Sequence, residues 1–95
     1  MTVTDNAADS RFELEESGQV VFADYRRAPG RLIIDHVESP VSLRGSGAAG
    51  RLMHGVAAAA RAAGERITPL CSYAAAWLQR HPEHADLLQP PRAGP

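Results

Sequence analysis

Lysine is absent from this 95-residue chain, and all ten basic side chains are arginine. No side-chain amine is therefore available for a Schiff base or for self-acetylation at lysine. Cysteine occurs once, at Cys71. That excludes an intramolecular disulfide framework and a multi-cysteine zinc site, and it suits a reducing compartment. An excess of one charge sign is missing too: ten basic residues meet eleven acidic ones, for a net charge of -1. This balance gives no electrostatic case for nucleic acid or an anionic membrane as the main partner. No apolar run is long enough to span a bilayer. The polar, acidic N-terminus lacks the basic-then-apolar pattern of a signal peptide, so the sequence reads as that of a cytoplasmic protein.

What is present suits one modest globular core, with 44% hydrophobic and 22% charged residues. Residues 1–10 are polar and without periodicity, and they read as a disordered N-terminal segment. Phe12 and Leu14 alternate with Arg11, Glu13 and Glu15, the pattern of a half-buried strand. Ser17-Gly18 is turn chemistry, and Gln19 to Arg26 forms a second strand, so the two make an antiparallel hairpin. Ala28-Pro29-Gly30 turns the chain again. Arg31 to Glu38, with Leu32-Ile33-Ile34, is a strand apolar enough to be buried on both faces, ended by Pro40.

From Gly47 to Ala63 the period becomes helical, with Ala49, Leu52, Met53, Val56, Ala60 and Ala63 on one stripe and Gly64 as the C-terminal cap. Arg66 to Leu70 gives a fourth strand, and a second helix runs from about Tyr73 to Arg80. A short turn follows Pro82. The Pro- and Gly-rich residues 90–95 read as a disordered tail. A single α+β domain over 11–89 results, in the order β-β-β-α-β-α: an antiparallel meander leading into one parallel, right-handed β-α-β crossover.

Arg44-Gly45-Ser46-Gly47-Ala48-Ala49-Gly50 follows a strand and opens a helix. There, unpaired N–H groups and the positive end of the helix dipole form an anion site. The bland alternative is a tight turn that merely closes the helix onto the sheet. Read literally the loop is also G-x-G-x-x-G, with Glu65 at about the distance of a ribose-binding acid. A dinucleotide fold is disfavoured, because the preceding strands form a meander and Glu65 precedes the next strand instead of following it.

Other residues complete a recognisable series: Tyr25; His36-Val37-Glu38-Ser39-Pro40; the glycine loop; Pro69-Leu70-Cys71-Ser72-Tyr73; and Arg80-His81-Pro82-Glu83-His84. Arg44-Gly45-Ser46-Gly47-Ala48-Ala49 matches the Q/R-x-x-G-x-G/A pattern of the GNAT acetyltransferase superfamily. The whole series, from about Phe12 to Leu88, resembles its short, single-domain branch. Departures are Val37 where threonine is usual and His84 where an aromatic is usual.

The resemblance implies a minimal GNAT fold, acetyl-CoA as cofactor and a primary amine as acceptor. Pantetheine would lie along the main chain of Asp35 to Glu38, with N–H groups near Val37 facing the thioester oxygen. The N–H groups of Gly45, Ser46, Gly47, Ala48 and Ala49 would hold the pyrophosphate, and Arg44 would add charge. Cys71 would close the fourth strand beside the thioester, either as an acetyl acceptor, as pocket wall or as plain packing. His36 is the candidate general base, with Glu38 an alternative acting through water; His36 also suits a structural role. Tyr73 and Trp77 read as packing residues, with Tyr73 able to reach the acyl site. His81 and His84 bracket Pro82-Glu83 without further evident ligands, so no metal site is expected. A non-catalytic acyl-CoA-binding module is the alternative function, since the helices that usually enclose the acceptor have no counterpart in this chain.

Overall fold

The computed structural model describes residues 2–91. Four strands, β1 (Thr4–Asn6), β2 (Arg11–Glu16), β3 (Gln19–Ala28) and β4 (Arg31–Glu38), form an antiparallel meander. Helix α1 (Ala48–Ala63) crosses over to β5 (Arg66–Pro69), which pairs parallel with β4, and α2 (Ser72–Gln79) follows. The five strands make one sheet in the order β1-β2-β3-β4-β5. The expected α+β architecture therefore holds, with one strand added at its N-terminal edge.

Turn chemistry sets the meander. Ser17 and Gly18 both adopt positive φ, 52° and 73°, the two-residue hairpin geometry whose twist matches the flanking strands. They close the Glu16–Gln19 pair. Pro29-Gly30, with Gly30 at φ 72°, turns β3 into β4. Gly64 is left-handed at φ 69°, and its N–H reaches the carbonyls of Ala60 and Arg61 to end α1.

One face of the sheet carries the core. Phe12, Leu14, Val21, Ala23, Tyr25, Leu32 and Ile34 point to a single buried cluster with Leu52, Met53, Val56, Ala57 and Ala60 of α1 and Ala74, Trp77 and Leu78 of α2. Alanines on α1 let the helix approach the sheet closely while longer side chains fill the gaps. Leu32, Ile33 and Ile34 are all buried, as the apolar run predicts. On the outer face, Val20 and Arg26 are exposed, and Phe22 and Asp24 are half-buried. The outer edge of β5 takes a parallel bridge from Leu88, and the Gln89 N–H donates to the Ile67 carbonyl at 2.8 Å.

The N-terminal strand corrects the expectation that residues 1–10 are disordered. Its sequence is polar and carries no alternation; tertiary contacts hold it instead. Thr4, Asp5 and Asn6 pair with Glu13, Phe12 and Arg11. The Tyr25 hydroxyl donates to Asp5 at 2.6 Å, and the Asn6 side chain accepts from the Asp9 N–H. Val3 fills a notch left by Gly55 on α1. The expected disorder of the tail over 90–95 falls largely on residues 92–95, outside the described ones.

Gly55→Ala tests this clasp. Alanine improves helix propensity by about 1 kcal/mol, while its methyl group collides with Val3 at an overpacking cost of about 1–3 kcal/mol. Val3 sits beside a short edge strand that can undock, so net stability should change by no more than about 1 kcal/mol. Amide exchange at Thr4–Asn6 should nevertheless accelerate strongly. Unchanged protection there would show that Val3 does not clasp the helix.

Candidate functional site: a strand fork beside a glycine loop

The site begins with a break in strand pairing. β4 and β5 are in register from Arg31–Arg66 to Ile34–Pro69. Beyond that point β4 runs on to Glu38 without β5. On its other side, Tyr25 of β3 opposes Ile34 and Asp24 opposes His36, so Asp35 is an extra, unpaired residue. A bulge of this kind bends its strand and increases the local twist. It carries the end of β4 away from β5, and the two strands fork. At the vertex the Ile34 carbonyl accepts from both Leu70 and Cys71 N–H groups, at 2.9 and 3.3 Å.

The bulge also reverses which side chains face the core. Along an unbroken strand, His36 would continue the inward series of Leu32 and Ile34. Instead Val37 returns to the core, opposite buried Ala23, and His36 is exposed. His36 is thus no core histidine. Inward residues of β4 turn their main-chain groups toward β5, as Ile34 does. Val37, back in that phase, turns its N–H and C=O to the open side of the fork.

The glycine loop closes the cleft from the other side. A 3-10 turn at Val41–Leu43 leads into it, and Gly45 and Gly47 stand at φ 81° and 87°, where a side chain would be strained. The loop braces itself: Ser46 Oγ donates to the Leu43 carbonyl at 2.6 Å and accepts from the Ala48 N–H at 3.2 Å. Ser46 N–H is likewise engaged, with Leu43. Among the described residues, the N–H groups of Gly45, Gly47, Ala49 and Gly50 have no such partner. The first turn of α1 holds no acidic residue, so nothing offsets its positive dipole end.

Arg51 is a bracing residue of this site that the sequence pattern does not mark. It reads as an off-stripe surface position of α1. In the fold, its guanidinium donates to Glu16 at 2.7 and 2.8 Å and to the Ser46 carbonyl at 3.1 Å. It passes directly under Gly47, where a Cβ would lie 3.0 Å from its Nη1. A two-pronged arginine thereby ties the β2 end, the loop and the helix together. The only advance signal was a bidentate donor one turn into a helix that opens on glycine.

The fork and loop share one cleft of about 560 Å³, lined by the residues from His36 to Ser39, from Leu43 to Gly45 and from Gly47 to Gly50, and by Tyr73. Of the expected site residues, His36, Val37, Glu38, Arg44, Gly45, Gly47, Ala48 and Ala49 are brought together there. Ser46 stands behind them as the brace. Cys71 does not line the cleft; it is half-buried at the N-cap of α2, at the fork's vertex. His36 Nε2 lies 2.6 Å from Glu38 Oε1, so the two candidate bases form one pair. Burial pushes the Tyr73 phenol above its ordinary value, opposed by Arg80 and reinforced by Cys71, and keeps it protonated at neutral pH. Asp35 is held below the usual carboxylate range by hydrogen bonds from Arg26, at 2.7 Å each.

Comparison with known proteins agrees with this fold. The GCN5-related N-acetyl-transferase family matches the chain over residues 11–87. A GCN5-like protein from Staphylococcus aureus, solved by NMR, superposes with a TM-score of 0.68 at 20% identity, covering 95% of this chain and 89% of that one. No curated protein matches the sequence. The chain belongs to the GCN5-related N-acetyl-transferase family and has its fold. It is an acetyltransferase by family.

The Glu16–Arg51 brace has a pH signature. The Arg51 hydrogen bond holds Glu16 below its ordinary value of 4.5. A depressed carboxylate contributes order above its unfolded pKa and loses it as pH falls through the folded one. Amide resonances from Ser46 to Arg51 should therefore move together as pH falls below 4.5, and Glu16→Gln should abolish that component. The same low-pH movement in Glu16→Gln would contradict the brace.

Proposed function

We propose that the protein transfers the acetyl group of acetyl-CoA to a primary amine. One observation carries the reading: an open strand edge at Val37 and a ring of free loop N–H groups meet in one cleft. The first suits the amides of a pantetheine arm, which would add to β4 like a further strand. The second, with Arg44 and the dipole of α1, suits a pyrophosphate.

The amine nitrogen would attack the thioester carbon, and the C–S bond would break to release the CoA thiolate. The Val37 N–H is oriented to stabilise the oxygen charge that develops. His36, hydrogen-bonded to Glu38, is the group suited to take the proton from the amine. Tyr73, protonated and in the cleft wall, is suited to return one to the thiolate.

A titration with acetyl-CoA and then CoA, followed by backbone NMR, tests the cofactor. Shifts should cluster at Val37 and from Gly45 to Gly50. Gly47→Glu should abolish binding, because it adds a carboxylate to the anion loop in a left-handed position, while the circular dichroism stays unchanged. Normal affinity in that variant would sink the proposal.

A second reading, an acyl-CoA-binding module without efficient turnover, is favoured by one observation. Among the described residues no helix covers the outer sheet face where an acceptor would be enclosed. Release of free thiol from acetyl-CoA in the presence of mixed amines separates the two readings.

Cys71 lies at the vertex of the fork but outside the cleft lining. A covalent role would have its thiolate attack the thioester carbon and release the CoA thiolate when no amine is present. Intact mass should then rise by one acetyl group, and Cys71→Ser should remove the increase. No adduct would limit Cys71 to packing.

A further inference from the structure

We propose that His54, Glu83 and His84 form a site for one divalent transition-metal ion of the zinc class, separate from the acyl-CoA cleft. In sequence, His81 and His84 form a pair with no third ligand. The fold supplies one from a distant element: His54 projects from α1 toward the 3-10 segment Pro82–Leu87. One ligand atom from each of His54, Glu83 and His84 lies within 4.8 Å of the other two. Ions bound at about 2.0–2.2 Å hold their ligands about 3–4 Å apart, so small rotations of exposed His54 and Glu83 toward half-buried His84 close the set. Two imidazoles and a carboxylate leave a fourth position for water.

The surroundings orient the rings. Trp77 is 2% exposed and forms a platform, with His81 stacked on it at 3.9 Å and His84 parallel at 5.7 Å. His54 meets the same indole edge-on at 4.8 Å. His81 donates its Nδ1–H to the Trp77 carbonyl at 2.7 Å and packs on the indole as part of the wall, outside the three ligand atoms that converge. The nearby charges are Glu83 and an Arg61–Asp86 pair at 2.7 Å. Arg61 also approaches His84 Nδ1, but at 3.4 Å that contact is weak and easily exchanged. Two carboxylates, Glu83 and Asp86, thus stand beside the one cation Arg61. An ion bound here would tie α1 to the C-terminal segment and raise thermal stability through mass action.

The test uses the untagged full chain, stripped with chelator and titrated with Zn²⁺ by calorimetry. Fluorescence of Trp77, the only tryptophan, serves as the local reporter. One ion should bind per chain, with a change in Trp77 emission and a higher melting temperature. His54→Ala and His84→Ala should each weaken binding by more than about tenfold, since even outer-sphere partners of a metal ligand matter that much. His36→Ala should leave it unchanged. Melting curves without metal check that each variant is folded. Absence of binding below millimolar Zn²⁺, or affinity that survives the double variant His54→Ala/His84→Ala, would overturn the proposal.

Discussion

Everything at the candidate site follows from one failure of backbone pairing, the bulge at Asp35. Parallel strands continue side by side unless something interrupts their hydrogen bonds. Here a single extra residue, opposed by nothing on β3, turns the end of β4 away from β5. The same residue flips the phase of the strand, so that Val37 rather than His36 faces inward. One insertion thus opens the cleft, exposes the imidazole and aims the Val37 amide at the opening. The Arg26–Asp35 pair sits on the surface, where solvent screening leaves such pairs little weight in stability. Its consequence is direction more than stability: it anchors the bulged residue to β3.

The glycine loop answers the fork across the cleft. Its left-handed glycines, the Ser46 hydroxyl and the Arg51 bridge to Glu16 fix the backbone with its N–H groups outward. Building an anion site this way avoids the entropy of ordering long basic side chains at the moment of binding. Only Arg44 brings a free cation to the rim, and it takes part in none of the ion pairs among the described residues. The consequence is a site complementary to a phosphate-bearing ligand without a strongly basic surface, in keeping with the balanced net charge.

Much of the fold was legible in the sequence because local signals and tertiary demands coincide. Ser17-Gly18, Pro29-Gly30 and Gly64 carry out the turns and cap that their chemistry predicts, and the alanine-rich stripe forms α1. The glycine loop was legible for the same reason. The bulge was not, since Asp35 is an ordinary residue in an otherwise regular strand and the alternation of Leu32, Ile34 and His36 looks unbroken. β1 was hidden as well: a polar edge strand is held by Tyr25 and by the notch at Gly55, which no local pattern records. Arg51 and the three-histidine cluster at Trp77 depend on residues far apart in sequence, so only the folded chain brings them together.

A structure of the protein with bound CoA tests the central claim most directly. A pantetheine amide should be hydrogen-bonded to the main chain of Val37, in the fork between β4 and β5. The pyrophosphate should lie over the N–H groups of Gly45, Gly47, Ala49 and Gly50. CoA bound elsewhere, or a fork closed by continued β4–β5 pairing beyond Ile34, would contradict it.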